Sequence, residues 1–147
     1  NNPLITNNDA LIYPLISLRL NPNNLGAFIK LLNFTINCTS SATYAYYLIV
    51  NPTVTGTALN FSSLSNSSIQ YDKNTTNATT ISGGTVLLTD IATDTNNSQS
   101  GVKGLLDTDF ALGSKIDGTQ DIVCIGVQRL SGGSETFYGC LNFSETN

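Results

Sequence analysis

Few residues in this chain have the type and spacing to do chemistry. There is no His, so the commonest general base and metal ligand is missing. Carboxylates fall into three loose groups: Asp90 with Asp94, Asp107 with Asp109, and Asp117 with Asp121. Two carboxylates held in a cleft are what glycoside hydrolysis needs. Any acidic chain supplies such pairs, however, and the plain reading is of solvated acids in turns. "DTDFALGSKIDG" lacks the ligand spacing of a calcium loop. Without His, a Ser nucleophile needs a Lys or carboxylate base, and nothing singles one out. The glycines of "SGGT" and "SGGS" precede no helix, so they read as turns and not as phosphate cradles. The expectation is a non-enzyme with no catalytic residue, no metal site and no cofactor.

One pattern does recur. Asn-X-Ser/Thr occurs eight times, at Asn33, Asn37, Asn60, Asn66, Asn74, Asn77, Asn96 and Asn142. Each is the N-glycosylation acceptor of a secreted protein's surface. A dense coat of N-linked glycans on an extracellular protein follows, and such a coat would keep an uncharged surface soluble. Charged residues make up 11% of the chain, against about 25% in ordinary soluble domains. The net charge is −4 and the six basic residues are scattered, which leaves no electrostatic footprint for nucleic acid. The missing initiator Met reads as a removed leader, with Asn1 the mature N-terminus.

The elements that carry these residues read as strands. A length of 147 residues fits one domain. Short apolar runs rich in β-branched and aromatic residues alternate with Gly, Asn, Ser and Thr clusters. Strands are expected near 10–20, 26–38, 43–51, 56–62, 67–72, 79–92, 101–112, 120–130 and 135–144. The fold class is therefore all-β, a β-sandwich of immunoglobulin-like or jelly-roll type. Residues 62–80 and 93–100 read as polar loops or edges.

Strict alternation assigns the faces. In "AFIKLLNFTINC" Asn33 and Asn37 share one face, and a glycan cannot enter a core, so Phe28, Leu32, Phe34 and Ile36 are expected inside. By the same logic Phe137, Leu141 and Phe143 point in, Tyr138, Cys140 and Asn142 point out, and Leu59 and Phe61 are buried. Lys30 then falls on the core face. It either reaches solvent along its stem or is a desolvated amine joined to Asn or Asp in an isopeptide crosslink. Three cysteines outside the cell imply one disulfide and a remainder. A hairpin about residues 131–134 sets Cys124 opposite Cys140 at a separation that suits a disulfide. Cys38 is then a buried small hydrophobe, and Cys38–Cys140 is the rival pairing.

The first apolar run, "NNDALIYPLISLRLNPNN", is too short to span a bilayer, which takes roughly 20 residues. It follows a polar tail and precedes an Asn-rich hinge, and Pro14 disfavours a central position unless a bulge absorbs it. A strand tethered in this way can complete a neighbour's sheet, and a head-to-tail contact that does not close gives a filament. Residues 1–24 are thus expected to form a donor-strand tail and hinge, and 25–147 the sandwich body. Leu11, Ile12, Tyr13, Leu15, Ile16, Leu18 and Leu20 form the donor strand, buried by the next subunit. Leu11, Tyr13 and Leu15 lie on one face of it. The longer set Ile12, Ile16, Leu18 and Leu20, with Pro14, is the face favoured for burial.

With its strand-like N-terminus, its Asn/Thr/Ser-rich β body, its sequons and its low charge, the chain resembles subunits of extracellular filaments built by donor-strand complementation. The archaeal thread, an N-glycosylated β-sandwich pilin, is the nearest in style. That resemblance implies a structural protein of a cell-surface filament, serving adhesion, cell–cell contact or biofilm. Its partners would be identical subunits, with N-linked glycans, no membrane span and no cofactor. The other class that fits is a monomeric glycosylated surface module: an adhesin tip, a carbohydrate binder or a viral surface domain.

Overall fold

The computed structural model describes residues 3–39, 41–94, 102–105 and 112–146, with backbone alone for residues 94 and 102–105. Among them are twelve strands and no α-helix. In chain order the strands are β1 (Leu4–Ile5), β2 (Ile12–Leu20), β3 (Phe28–Cys38), β4 (Ala42–Val50), β5 (Thr53–Gly56), β6 (Ser62–Ser63), β7 (Ile69–Lys73), β8 (Thr79–Ser82), β9 (Thr85–Asp94), β10 (Val102–Leu105), β11 (Ile122–Arg129) and β12 (Thr136–Thr146). They form two antiparallel sheets packed as a sandwich. The smaller runs β1-β12-β3-β10, and the larger runs β5-β8-β2-β11-β4-β9 with β7 also on β2 and β6 on β7.

The inner faces meet in one apolar core. Tyr13, Leu18 and Leu20 of β2, Tyr44 and Leu48 of β4, and Val123, Ile125 and Val127 of β11 face Leu31, Phe34 and Ile36 of β3 and Phe137 of β12. The Tyr44 ring stands edge-on to Phe137 at 5.0 Å between centroids, an arrangement aromatic quadrupoles favour. A smaller cluster of Ile49, Ile81 and Cys124 covers the outer side of the larger sheet, with Ile12, Val54 and Leu59 packed on it. The segment from Thr53 through residue 61 and β8 therefore folds across that face as a strap.

Three bulges reset the faces that alternation assigns. In β3 the register moves from Asn33↔Asn142 to Leu31↔Phe143, which leaves Leu32 as an extra residue. Ile29 and Leu31 are consequently buried, while Phe28 and Leu32 are 53% and 40% exposed, the reverse of the expected inner set for that half of the strand. Phe34 and Ile36, beyond the bulge, do point in. In β2 the register moves from Ile16↔Ile125 to Pro14↔Gly126, with Leu15 extra. A third shift lies between β4 and β9. An inserted residue of this kind turns every following side chain to the other face.

The glycine pair Gly83–Gly84 divides the expected strand 79–92 into β8 and β9. Both have positive φ, 64° and 74°, and a Cβ on Gly84 would lie 2.6 Å from the Val50 carbonyl oxygen. The expected strand 56–62 is mostly the strap, between β5 and β6. Of the expected strand 101–112, β10 covers residues 102–105, and residues 101 and 106–111 lie outside the described part.

Candidate functional site

The N-terminal segment is the first candidate. In the isolated chain Leu11, Ile12, Tyr13, Leu15, Ile16, Leu18 and Leu20 are placed against their own domain, where a neighbouring subunit was expected. β2 pairs β11 on one side from Ile12 to Arg19. On the other side it pairs β7 from Ile16 to Leu20 and β8 at Ile12. Pro14 thus sits in the gap between β7 and β8, where its missing N–H breaks no ladder bond, and the bulge opposite Gly126 absorbs it. A Cβ on Gly126 would come within 2.7 Å of Ile12 Cγ2.

The buried face of β2 draws on both expected sets. Tyr13, Leu15, Leu18 and Leu20 are each at most 3% exposed, Ile16 packs against them, Ile12 joins the outer cluster, and Leu11 is 49% exposed. β1 adds Leu4 to the core beside Phe137. The Tyr13 hydroxyl donates to Asp9 Oδ2 at 2.6 Å. Burial, and then the Asp9 carboxylate, push its phenol up to about 12. Arg129, itself buried, donates to the Asn7 carbonyl at 3.4 Å and to the Gly132 carbonyl at 2.7 Å. The segment therefore enters both sheets and satisfies a buried cation. It leaves through residues 21–27, which hold a short 3-10 turn with no buried residue, capped by the Asn21 side chain accepting from Asn23 N–H.

An apolar cleft of about 260 Å³ lies between the sheets beside this segment, walled by Ile16, Leu18, Leu64, Ile69, Leu141 and Phe143. It adjoins β12, which β1 pairs at Thr136 and Phe137. Farther along that side of β12 no described strand runs.

The sequons are spread over loops and outward strand positions. Asn33 and Asn142 face each other across β3 and β12, and Asn142 Nδ2 donates to Asn33 Oδ1 at 2.7 Å. Asn37 is half-buried, Asn60 is exposed on the strap, and Asn66 is exposed in a turn with φ 57°. Asn77 is exposed and donates to Asn7. Asn74 differs, because its amide nitrogen is buried without a hydrogen-bond partner. A glycan on that atom requires the side chain to turn outward. Asn96 lies outside the described residues.

The remaining expected chemistry disperses. Lys30 is exposed on the outer face of β3, because the bulge at Leu32 puts Ile29 and Leu31 inside instead. The case for a buried amine, and for an isopeptide crosslink at Lys30, therefore lapses. The cysteines form no disulfide. Residues 130–135 carry the chain from one sheet to the other, so the hairpin expected to set Cys124 against Cys140 does not form. Cys124 stands opposite Ser17 and Ile49 in the larger sheet, and Cys140 opposite Thr35 in the smaller. Cys38, the alternative partner, is 2% exposed within the main core, whereas Cys140 is exposed. Asp117 holds the Thr119 N–H in a turn at 2.9 Å, which lowers its carboxyl. Asp121 accepts from Asn51 Nδ2 at 2.8 Å. Asp90 is exposed. Asp107, Asp109 and the Asp94 side chain lie outside the described residues.

Sequence reasoning missed two buried carboxylates, Asp72 and Glu135. Asp72 is 8% exposed and accepts from the Asn60 backbone N–H. Burial raises its carboxyl above the ordinary range, and the Asn60 bond opposes the rise. Asp72, Ser17 and Cys124 stand in register across β7, β2 and β11, with Ser17 Oγ 3.0 Å from Cys124 Sγ. Burial drives the Cys124 thiol up to about 12, so it is inert. Asp72 borders a second, polar cavity of about 350 Å³ between the strap and β7. Alternation gives Asp72 as an outward residue, and nothing local reveals that the strap covers it.

Comparison with known protein families, characterised proteins and solved structures finds no match. Among the described residues no helix is long and apolar enough to cross a membrane, and no group of three His, Cys, Asp or Glu side chains is placed to hold a metal ion.

Proposed function

We propose that the chain is a structural subunit of an extracellular, N-glycosylated filament. Subunits join head to tail by exchange of the N-terminal strand, and the filament serves cell-surface adhesion, cell–cell contact or biofilm without catalysis or a cofactor. One observation carries this: β2, a central strand of the larger sheet, belongs to the N-terminal segment that follows the two-residue β1, and it joins the body through an exposed turn. The slot that receives β2 is the same whichever copy supplies it, so exchange conserves every side-chain contact made at home. A heterologous exchange of this kind does not close, and it propagates. The cleft beside β12 leaves apolar surface where successive subunits can pack. The sequons would lie on the outside of such a fibre and give it a sugar coat.

A second reading is favoured by the pairing of β2 along both sides within its own sheet. In it, the protein is a monomeric glycosylated surface module.

Removal of the segment tests what it contributes, and the oligomeric state of the full-length protein distinguishes the two. Leu4, Tyr13, Leu15, Leu18 and Leu20 are almost wholly buried, and burial of such side chains is worth roughly 1.5–3 kcal/mol each. Together they contribute on the order of 10 kcal/mol, comparable to the whole stability of a domain. A chain starting at about Asn21 should aggregate and fail to polymerise. A peptide of residues 7–20 added in trans should restore a soluble, capped monomer. Failure of the peptide to rescue, together with full-length protein that stays monomeric at high concentration with a protease-resistant N-terminus, would overturn the filament in favour of the module.

A further inference from the structure

We propose that the polar cavity between the strap and β7 is a binding site for a single sugar residue, with the Asp72 carboxylate as its central acceptor. The proposal concerns a different part of the molecule from the exchanged strand and holds for filament and monomer alike. The cavity measures about 350 Å³, at the small end of the roughly 300–1,000 Å³ that ligand sites occupy. That admits one small molecule.

The composition of the walls defines the ligand. Thr57, Asn60, Ser62, Asn74 and Thr76 present hydroxyl and amide groups around Asp72. A buried carboxylate with one oxygen on the Asn60 N–H has acceptor capacity left for a donor. A polyol answers this, since one hydroxyl donates to the carboxylate while its neighbours pair with the hydroxyl- and amide-bearing side chains of the wall. Anionic ligands such as phosphate are disfavoured by Asp72 itself. A calcium ion wants six to eight oxygen ligands, with several carboxylates among them, and this wall has one. The Lys73 ammonium lies 5.3 Å over the Tyr71 ring and is thereby already engaged.

The site is also held rigid, as a specific site must be. Thr79 Oγ1 donates to the Thr57 carbonyl at 2.8 Å, and Thr57 N–H donates to the Ala78 carbonyl at 2.9 Å. Asp72 is fixed from beneath by its place opposite Ser17 in the sheet. The sugar has two possible sources, a free saccharide or an N-glycan, and the sequons at Asn60, Asn66, Asn74 and Asn77 surround the opening. Only the second source depends on the glycosylation proposed above.

The test is an NMR titration of the full-length protein, in its glycosylated form and expressed in a host without N-glycosylation, with glucose, galactose, mannose and N-acetylglucosamine. At least one sugar should bind the glycan-free protein with a dissociation constant near about 1 mM, the range of −4 kcal/mol, and shift the Asn60, Asp72 and Thr76 amides. Asp72→Asn retains an acceptor for the Asn60 N–H, so it should leave thermal unfolding unchanged and weaken binding at least tenfold. Binding should also fade on acidification as the carboxyl protonates. If the glycosylated protein shows these amides already shifted and does not respond while the unglycosylated protein does, the sugar is an N-glycan. If both forms titrate alike, it is a free saccharide. Silence of the glycan-free protein at tens of millimolar of all four sugars would overturn the proposal, as would shifts that Asp72→Asn leaves intact.

Discussion

Leu31 and Leu32 are adjacent residues of the same type in one strand, and they should respond oppositely to truncation. Strict alternation places Leu32 in the core and Leu31 outside. The bulge opposite Asn142 and Phe143 reverses this, leaving Leu31 1% exposed and Leu32 40% exposed. Leu31→Ala removes methyl groups from a packed interior, and such a change costs about 2–5 kcal/mol including the cavity left behind. Leu32→Ala is a surface change within about 0.5 kcal/mol. For a domain of this size each kcal/mol moves the melting temperature by about 2–4 °C. Leu31→Ala should therefore melt roughly 5–15 °C below the parent, while Leu32→Ala should track the parent within about 2 °C. Urea unfolding followed by Tyr fluorescence measures the same difference as a shift in midpoint at unchanged slope. Equal losses, or a larger loss for Leu32→Ala, would refute the bulge and the inner face built on it.

Other consequences can be measured on the same protein. Tyr13 and Cys124 have folded-state values near 12, raised from 10.0 and 9.0 mainly by burial. A raised value favours the neutral form in the fold, so this contribution to stability is full below about pH 9 and is lost as pH climbs toward about 12. The urea midpoint should fall between about pH 9 and about pH 12, and Tyr13→Phe and Cys124→Ala should each flatten that fall. Unfolding without reductant should release three thiols, of which Cys140 alone reacts quickly in the native state, since Cys38 and Cys124 are buried; a count of one would restore a disulfide. Gly84→Ala forces a left-handed residue and a Cβ against the Val50 carbonyl, and should destabilise by about 1 kcal/mol or more.

Strand content was legible because the apolar runs are short, β-branched and fenced by turn residues. Six of the nine expected strands lie within a few residues of β2, β3, β4, β7, β11 and β12. The faces were legible only up to the first bulge. Nothing in "FIKLLNF" marks Leu32 as the inserted residue, because the insertion answers the partner strand β12 and not local propensity. Pro14 did announce an irregularity, and the bulge beside it is its structural counterpart. The cysteine pairing failed for a topological reason, since residues 130–135 are long enough either to close a hairpin or to cross between sheets. Burial of both apolar faces in one core selects the crossing. Asp72 stayed hidden because its cover is the strap through residues 57–61, which is distant in pattern though near in sequence.

The most direct test of strand exchange uses the pair at the centre of the exchanged interface. Ser17 stands opposite Cys124 with 3.0 Å between Oγ and Sγ, a cross-strand separation a disulfide can bridge. The substitution Ser17→Cys, in a Cys140→Ser background, gives β2 a crosslink to whichever β11 receives it. After assembly and oxidation the protein is run on a denaturing gel without reductant. Exchange between subunits predicts a ladder of covalent multimers that collapses to one band on reduction. A single monomeric band, with the bond between position 17 and Cys124 mapped within one chain, would contradict it.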